Sequence, residues 1–288
     1  MAGSFHLPSH VANNIMVTKL FQDKLVLIKG AGDLASGVAY RLYRSGFPLI
    51  MTELPAPLLV RRTVAFGQAV YSKKTSVENI TAQRVDTPHQ ALQLVNTGVI
   101  PVLVDPQAAA VSQLKPQILI DAIMAKTNTG THLNHAPLVI ALGPGFTAGQ
   151  DCHIVIETNR GHRLGRVIEH GPPQANTGTP GTVKGRTAER VLRAPADGQI
   201  TPHAQIGDKI KAGQLIATIN SHELRAPFDG VLRGLIHPQV QVWTGLKIGD
   251  LDPRGTVDHC FTISDKSLAI GGGVLEAILA SPLMRQTP

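Results

Sequence analysis

KLVLIKGAGDLASGVAYRLYRSGFPLIMTELP, residues 24–55, carries the reading of the first half of this chain. Leu25–Lys29 is a short apolar run that stops at Gly30, and a helical pattern follows from Leu34 to Arg44. In that pattern Ala35, Val38, Ala39 and Leu42 share one face. Gly46 then stands where a glycine ends a helix, and Leu49–Thr52 reads as a second strand. Gly30-x-Gly32-x-x-Ala35-x-Gly37 therefore lies between a strand and a helix. There a first glycine permits the tight turn, a second lets backbone approach a phosphate, and small third residues let helix and strand pack closely. The helix start offers N–H groups and partial positive charge to an anion. Glu53 ends the second strand at about the separation where an acidic side chain takes a ribose hydroxyl. Asp33 inside the loop would repel a pyrophosphate, and the sequence favours it as a helix cap over a ligand group.

Working outward, strands are expected at Ala69–Tyr71, Val102–Asp105, Ile118–Asp121 and Leu138–Leu142. Helices are expected at His89–Val95 and Gln107–Leu114. Alternation of this kind predicts an α/β domain with a Rossmann-like parallel sheet over residues 23–150, after an extension at 1–22. Ligands of open parallel sheets collect at the carboxyl ends of strands. Asp121, Lys126 and Asn128 follow one such end; Gly143-Pro144-Gly145 follows another. Lys126 reads as a phosphate clamp, a general base or a solvated loop lysine. Gly145 reads as backbone passing close to a ligand or as a plain turn.

The second half, 151–260, contains a duplication. RAPADGQITPHAQIGDKIKAGQLIATI at 193–219 returns as RAPFDGVLRGLIHPQVQVWTGLKIGDL at 225–251. Copies of this size, cut into short strands by Gly/Pro/Asp turns, can interleave to bury faces that neither buries alone. The pattern resembles a small all-β barrel-sandwich hybrid of the biotinyl/lipoyl type. Its hairpin INSHEL, 219–224, has no lysine, so no biotin or lipoyl attachment is expected. Ahead of the duplication, Asn159, Arg160, His162, Arg163 and Arg166 read as a solvated basic turn, slightly favoured, or as a cluster facing an anion across the domain boundary. Gly171–Arg186, rich in Gly, Pro and Thr, reads as a mobile surface loop. Residues 261–288 are expected to form a helix on the core.

Bulk properties narrow the function classes. Residues 1–150 carry 12 Lys/Arg against 7 Asp/Glu, which favours anionic small molecules or acidic partners. These charges are scattered and no aromatic RNA-binding motif accompanies them, so nucleic acid is not the expected partner. Two cysteines make no disulfide framework. The pairs Cys152-His153 and His259-Cys260 would form a soft-metal or sulfur-transfer site only if the fold joined them, and no metal is expected. The N-terminus has no secretory pattern and no run reaches membrane-spanning length, so a cytoplasmic protein is expected. Zinc-protease, nucleophile-elbow and Walker motifs are not found. On the residues alone, an NAD(P)-dependent oxidoreductase stays open; Glu53 would favour NAD, with Arg61 and Arg62 softening that preference.

IKGAGDLASGVAYRLYRSGFPLIMTELPAPLLVRRTVAFGQAVY, LIDAIMAKTNTGT, ALGPGFTAGQDCHIVIETNRGHRLGRVI, RAPFDGVLRGLIHP and TISDKSLAIGGGVLEAIL together resemble the selenium-dependent molybdenum hydroxylase system protein family (the YqeB type). These are molybdenum hydroxylase maturation factors. The resemblance implies a non-redox accessory role toward a client molybdenum hydroxylase whose centre needs a labile selenium or sulfur ligand. It implies a nucleotide or a molybdopterin-type cofactor as the anionic guest, and a homo-oligomer is possible. Its site residues are implied at Gly30, Gly32, Asp33, Lys126 and Asn128, with Gly145, Arg160 and His162 behind them.

Overall fold

The computed structural model describes residues 20–176, 178 and 181–285; most of the expected extension at 1–22 lies outside them. The first sheet has nine strands: β1 (Val26–Lys29), β2 (Leu49–Glu53), β3 (Lys74–Val77), β4 (Ile80–Val85), β5 (Val99–Val104), β6 (Ile118–Asp121), β7 (Leu138–Leu142), β8 (Ile154–Ile156) and β9 (Val167–Ile168). Their order is β3-β4-β5-β2-β1-β6-β7-β8-β9. The inner strands from β4 to β8 run parallel, while β3 and β9 run antiparallel at the two edges.

Alternate residues of β1 enter different cores. Val26 and Ile28 meet α1 (Asp33–Arg44) and α5 (Asp265–Ala280) on one face. Leu27 meets α3 (Pro88–Leu94) and α4 (Ala110–Leu114) on the other. Both faces are thus covered, and the inner strands read as unbroken apolar runs. Helix α1 ends where Gly46, at φ 89°, donates to the Tyr43 carbonyl while Phe47 donates to Leu42. This pair of bonds satisfies the last carbonyls of a helix that stops on glycine. Helix α3 opens on a reciprocal Thr87–Gln90 cap with Pro88 in its first turn.

The second unit comprises β10 (Val191–Arg193), β11 (Gly198–Pro202), β12 (Lys209–Ile210), β13 (Leu215–Ile219), β14 (His222–Arg225), β15 (Gly230–Leu235), β16 (Gln241–Val242) and β17 (Lys247–Asp252). They form two four-stranded antiparallel sheets, β10-β17-β15-β12 and β14-β13-β11-β16. The repeats do interleave: β11 of the first copy pairs with β16 of the second, and β12 with β15. Their shared core holds Ile200, Ile216, Leu232 and Ile248, with Phe228 at one end.

The expected fold class needs correction. In place of a Rossmann-like parallel sheet followed by a barrel-sandwich hybrid, the chain forms a large mixed sheet and a pair of antiparallel sheets. Ala69–Tyr71, expected as a strand, is the helix α2 (Ala69–Ser72); a three-residue apolar run has no period to separate the two states. The following KTSVENITAQRV forms the β3–β4 hairpin, turned at Glu78 and Asn79, both at positive φ. A two-residue turn of this conformation matches strand twist and favours Asn. The boundary expected at 150 falls inside the sheet, which continues through β8 and β9. The helical segment at 107–114 is confined to Ala110–Leu114.

Candidate functional site

A cavity of about 1000 Å³ opens over the carboxyl ends of β1, β2 and β6, beside the start of α1. Gly30 makes its floor possible. At φ 91° it takes a conformation that side chains disfavour, and a Cβ there would lie 3.0 Å from the Ala122 carbonyl oxygen. Among the described residues, the Gly32, Asp33 and Leu34 amides have no hydrogen-bond acceptor. They point from the first turn of α1, where partial positive charge gathers.

Behind the loop lies a buried polar cluster. Lys29, the last residue of β1, donates from Nζ to Thr131 Oγ1 at 2.6 Å and stands 3.1 Å from Asp121 Oδ2. Thr131 Oγ1 in turn donates to Asp121 at 2.6 Å. Lys266, from the first turn of α5, also faces the cavity, and burial lowers its pKa. Arg61 Nε is buried without an acceptor among the described residues. Six cationic side chains (Lys29, Arg61, Arg160, Arg233, Lys247, Lys266) line this space against three carboxylates (Asp33, Glu53, Asp105). Apolar side chains line it as well, with Leu54 and Leu58 44% and 45% exposed and Ile123 42% exposed. Cationic and apolar groups in one cavity suit a ligand that joins a flat apolar body to an anionic group.

The structure divides the residues named from sequence. Gly30, Gly32, Asp33, Glu53 and Arg160 line the cavity. Glu53 has a structural task of its own: Oε2 accepts from the Ala31 amide at 2.9 Å and Oε1 from Leu54 at 2.8 Å. Burial raises its pKa against these two bonds. Asp33 is not the cap, since Gly32 holds that position and no side chain caps the helix. As the first helical residue, Asp33 accepts from Arg61 at 2.8 Å and from Ser267 Oγ at 3.1 Å. Ala35 and Gly37 are buried away from the cavity; a Cβ on Gly37 would lie 2.6 Å from the Ser267 carbonyl oxygen. Their smallness serves the crossing of α1 and α5.

Asn128 turns back on its own loop, accepting from the Gly130 and Thr131 amides and donating to the Thr131 carbonyl. Gly145, at φ 108°, lets its loop approach the Lys126–Thr127 backbone, where a Cβ would lie 2.9 Å away. His162 is exposed and lines no cavity described here. Cys152 sits in the core on the α3 side, its pKa pushed up to about 12 chiefly by burial. Cys260 is buried against β15, near the Leu232 carbonyl. The two Cys/His pairs are not joined, and no metal-holding group of three or more His, Cys, Asp or Glu occurs among the described residues.

Sequence reasoning missed Lys29, Thr131 and Lys266. A lysine ending an apolar strand was a visible signal for Lys29. Lys266 is far along the chain, and only tertiary folding reveals its place. A second space of about 810 Å³ adjoins the first and shares Met124, Arg160, Arg233 and Lys266 with it. Lys126 lines that space, and so do the described residues 174–176 and 181–183 of the segment expected as a loop. Residues 177, 179 and 180 of that segment lie outside the described residues.

No family model matches the chain. Over 256 residues it is 52% identical to a protein of Escherichia coli (strain K12) named as the uncharacterised protein YqeB. The chain is similar to YqeB. The match takes in 89% of this chain and 47% of that protein, so the chain spans about half the length of this curated relative. A succinylglutamate desuccinylase/aspartoacylase from Rhodobacter sphaeroides aligns at 15% identity and TM-score 0.25, over 79% of this chain and 85% of its own. TcdA (CsdL) aligns at 13% identity and TM-score 0.27, over 90% and 89%. Among the described residues, no helix is long and apolar enough to cross a membrane.

Proposed function

We propose that this protein is an accessory factor that holds an anionic nucleotide or molybdopterin-type cofactor for a client selenium-dependent molybdenum hydroxylase, assisting insertion or selenium/sulfur modification of its metal centre. The observation that carries the binding half is the cavity over β1. It combines amides without acceptors at the start of α1, a surplus of cationic side chains and apolar side chains beside them. The client half rests on the sequence segments that resemble the maturation-factor family and on the likeness to YqeB. The amides of Gly32–Leu34 and the Lys266 ammonium would hold the phosphate of such a guest, and Leu54, Leu58 and Ile123 would cover its ring system. A bound cofactor of this type would bring the molybdenum-ligating sulfur chemistry; the chain's residues bind, orient and shield it.

For the oxidoreductase alternative, each Glu53 oxygen already accepts one backbone amide and keeps one lone pair for a ribose hydroxyl, but no substrate site accompanies it among the described residues. The test is uptake of a nucleotide or isolated molybdopterin cofactor, measured by calorimetry and by mass spectrometry of what copurifies. Gly32 has φ −70°, and the nearest side-chain atom to a Cβ there is 3.8 Å away. A Gly32→Trp substitution should therefore fold and fill the cavity mouth. Uptake should fall at least 100-fold. Undiminished uptake by that variant would remove the cavity from the function.

A further inference from the structure

The second space has a charge balance of its own. Lys126, Arg160, Arg190, Arg233, Arg254 and Lys266 line it. Their carboxylate partners are few. Asp265 takes Arg160 through two bonds of 2.7 and 3.0 Å. Asp252 takes Arg254 at 2.6 Å. Asp250 and Asp252 are then shared with Arg190 at 3.4 Å and with Arg233 at 3.8 Å. Six cations thus share three ion-paired carboxylates, with Asp33 and Glu157 also acting on Lys266 from a distance. Lys126 and Lys266 have no carboxylate within bonding distance among the described residues.

Two observations point to a missing anion. Arg190 is only 8% exposed, donates to the Gly181 carbonyl at 3.1 Å, and keeps its Nε buried with no acceptor among the described residues. A buried donor without an acceptor is costly, and a bound ion or water beside the side chain is one way to satisfy it. Arg233, 13% exposed, holds its charge in a setting where burial and then Arg61 lower its pKa. Positive charge that is partly desolvated is stabilised by a counter-ion with several acceptors.

We infer that this space is a second binding site, for a tetrahedral oxyanion of the phosphate type, seated among Arg190, Arg233, Arg254, Lys126 and Lys266. Guanidiniums present paired N–H groups that match such oxygens, and lysines add point charge. The site has Lys126, Arg190 and Arg254 to itself, while the shared Arg160, Arg233 and Lys266 let one ligand reach both. The oxyanion is then either a free ion or the terminal phosphoryl group of that ligand.

Inorganic phosphate titrated into the full chain, followed by calorimetry or phosphorus NMR, tests the assignment. Gly32→Trp, which fills the first cavity, should keep one saturable phosphate site, which separates this site from the first cavity. Arg254→Gln should weaken binding at least tenfold. Arg254 also supports Asp252, so Lys126→Gln, at an exposed position, supplies a variant that keeps the core intact; a threefold or greater loss is expected. Absence of saturable binding to wild type overturns the site, as does phosphate affinity unchanged in both variants. A nucleotide bound in the first cavity then tells the sources apart. If Arg254→Gln weakens it too, the oxyanion belongs to one spanning ligand; if only free phosphate is affected, the site takes a separate ion.

Discussion

At the scale of single residues, Lys29 and Asp121 form the most consequential pair. Both are buried, at 5% and 1% exposure, so removing one partner strands a charge in low dielectric. Lys29→Met should cost about 3–5 kcal/mol in urea unfolding. The double change Lys29→Met with Asp121→Asn should cost much less, because Thr131 can still donate to the amide oxygen; equal losses in the single and double variants would deny the coupling. Legibility at this scale was uneven. Gly30, Gly32 and Arg160 do line the cavity, because loop chemistry and charge are written locally. Glu53 lines it too, but spacing tells where a carboxylate stands, not that it also ties down the Ala31 and Leu54 amides. Asn128 misled for a related reason, since an asparagine that staples its own turn has the same composition as one awaiting a ligand.

At the scale of elements, the crossing of α1 and α5 governs the geometry. Gly37 and Gly271 meet there: a Cβ on Gly271 would lie 2.6 Å from the Gly37 carbonyl oxygen, and one on Gly37 equally near Ser267. Gly37→Ala should therefore lower stability by about 1–3 kcal/mol, despite the better helix propensity of alanine. Adding Gly271→Ala should cost less than the sum of the two, because the first change has already separated the helices. Thermal unfolding of the two single variants and the double variant checks both statements. The same displacement would draw Ser267 from Asp33 and Lys266 from the cavity, so ligand affinity should fall with stability. The sequence marked Ala35 and Gly37 as small for close packing, but attributed the closeness to the strand below. The true neighbour is a helix encoded far downstream, which no window of local sequence contains. The β3–β4 hairpin was missed for the opposite reason: its Glu78-Asn79 turn was local and readable, but the strands Lys74–Val77 and Ile80–Val85 are polar enough to pass for loop.

At the scale of the whole molecule, the two units hold each other through specific polar and packing contacts. Arg62 donates to the Leu235 carbonyl at 3.0 Å, Thr63 to Cys260 at 2.6 Å, and Tyr71 stacks on His237 with centroids 3.9 Å apart. Gly234 lets Val60 approach β15, where a Cβ would lie 2.8 Å from the Val60 oxygen. Burial, and then the Arg62 charge, lower the pKa of His237 below its ordinary 6.5. The unfolded chain therefore binds the proton more readily in that window. Stability from this group is full above pH 6.5 and declines as pH falls toward the lower folded value. Melting temperature should drop from pH 7.5 to 5.5 by less in His237→Phe than in the parent; identical drops would clear His237 of the effect. The interleaving of the duplicated strands was readable, because a repeat is a long-range signal written in the sequence itself, although the hybrid-barrel fold read from it was not what formed. The edges of the large sheet were not, since pairing partners are chosen only in three dimensions. One consequence concerns synthesis. Helix α5 seals the face of the first sheet beside α1, and it emerges from the ribosome only after the entire paired-sheet unit. The nascent polypeptide must therefore carry an uncovered oily surface and a half-built pocket until that helix has cleared the ribosome, a window in which a holding chaperone would have most to protect.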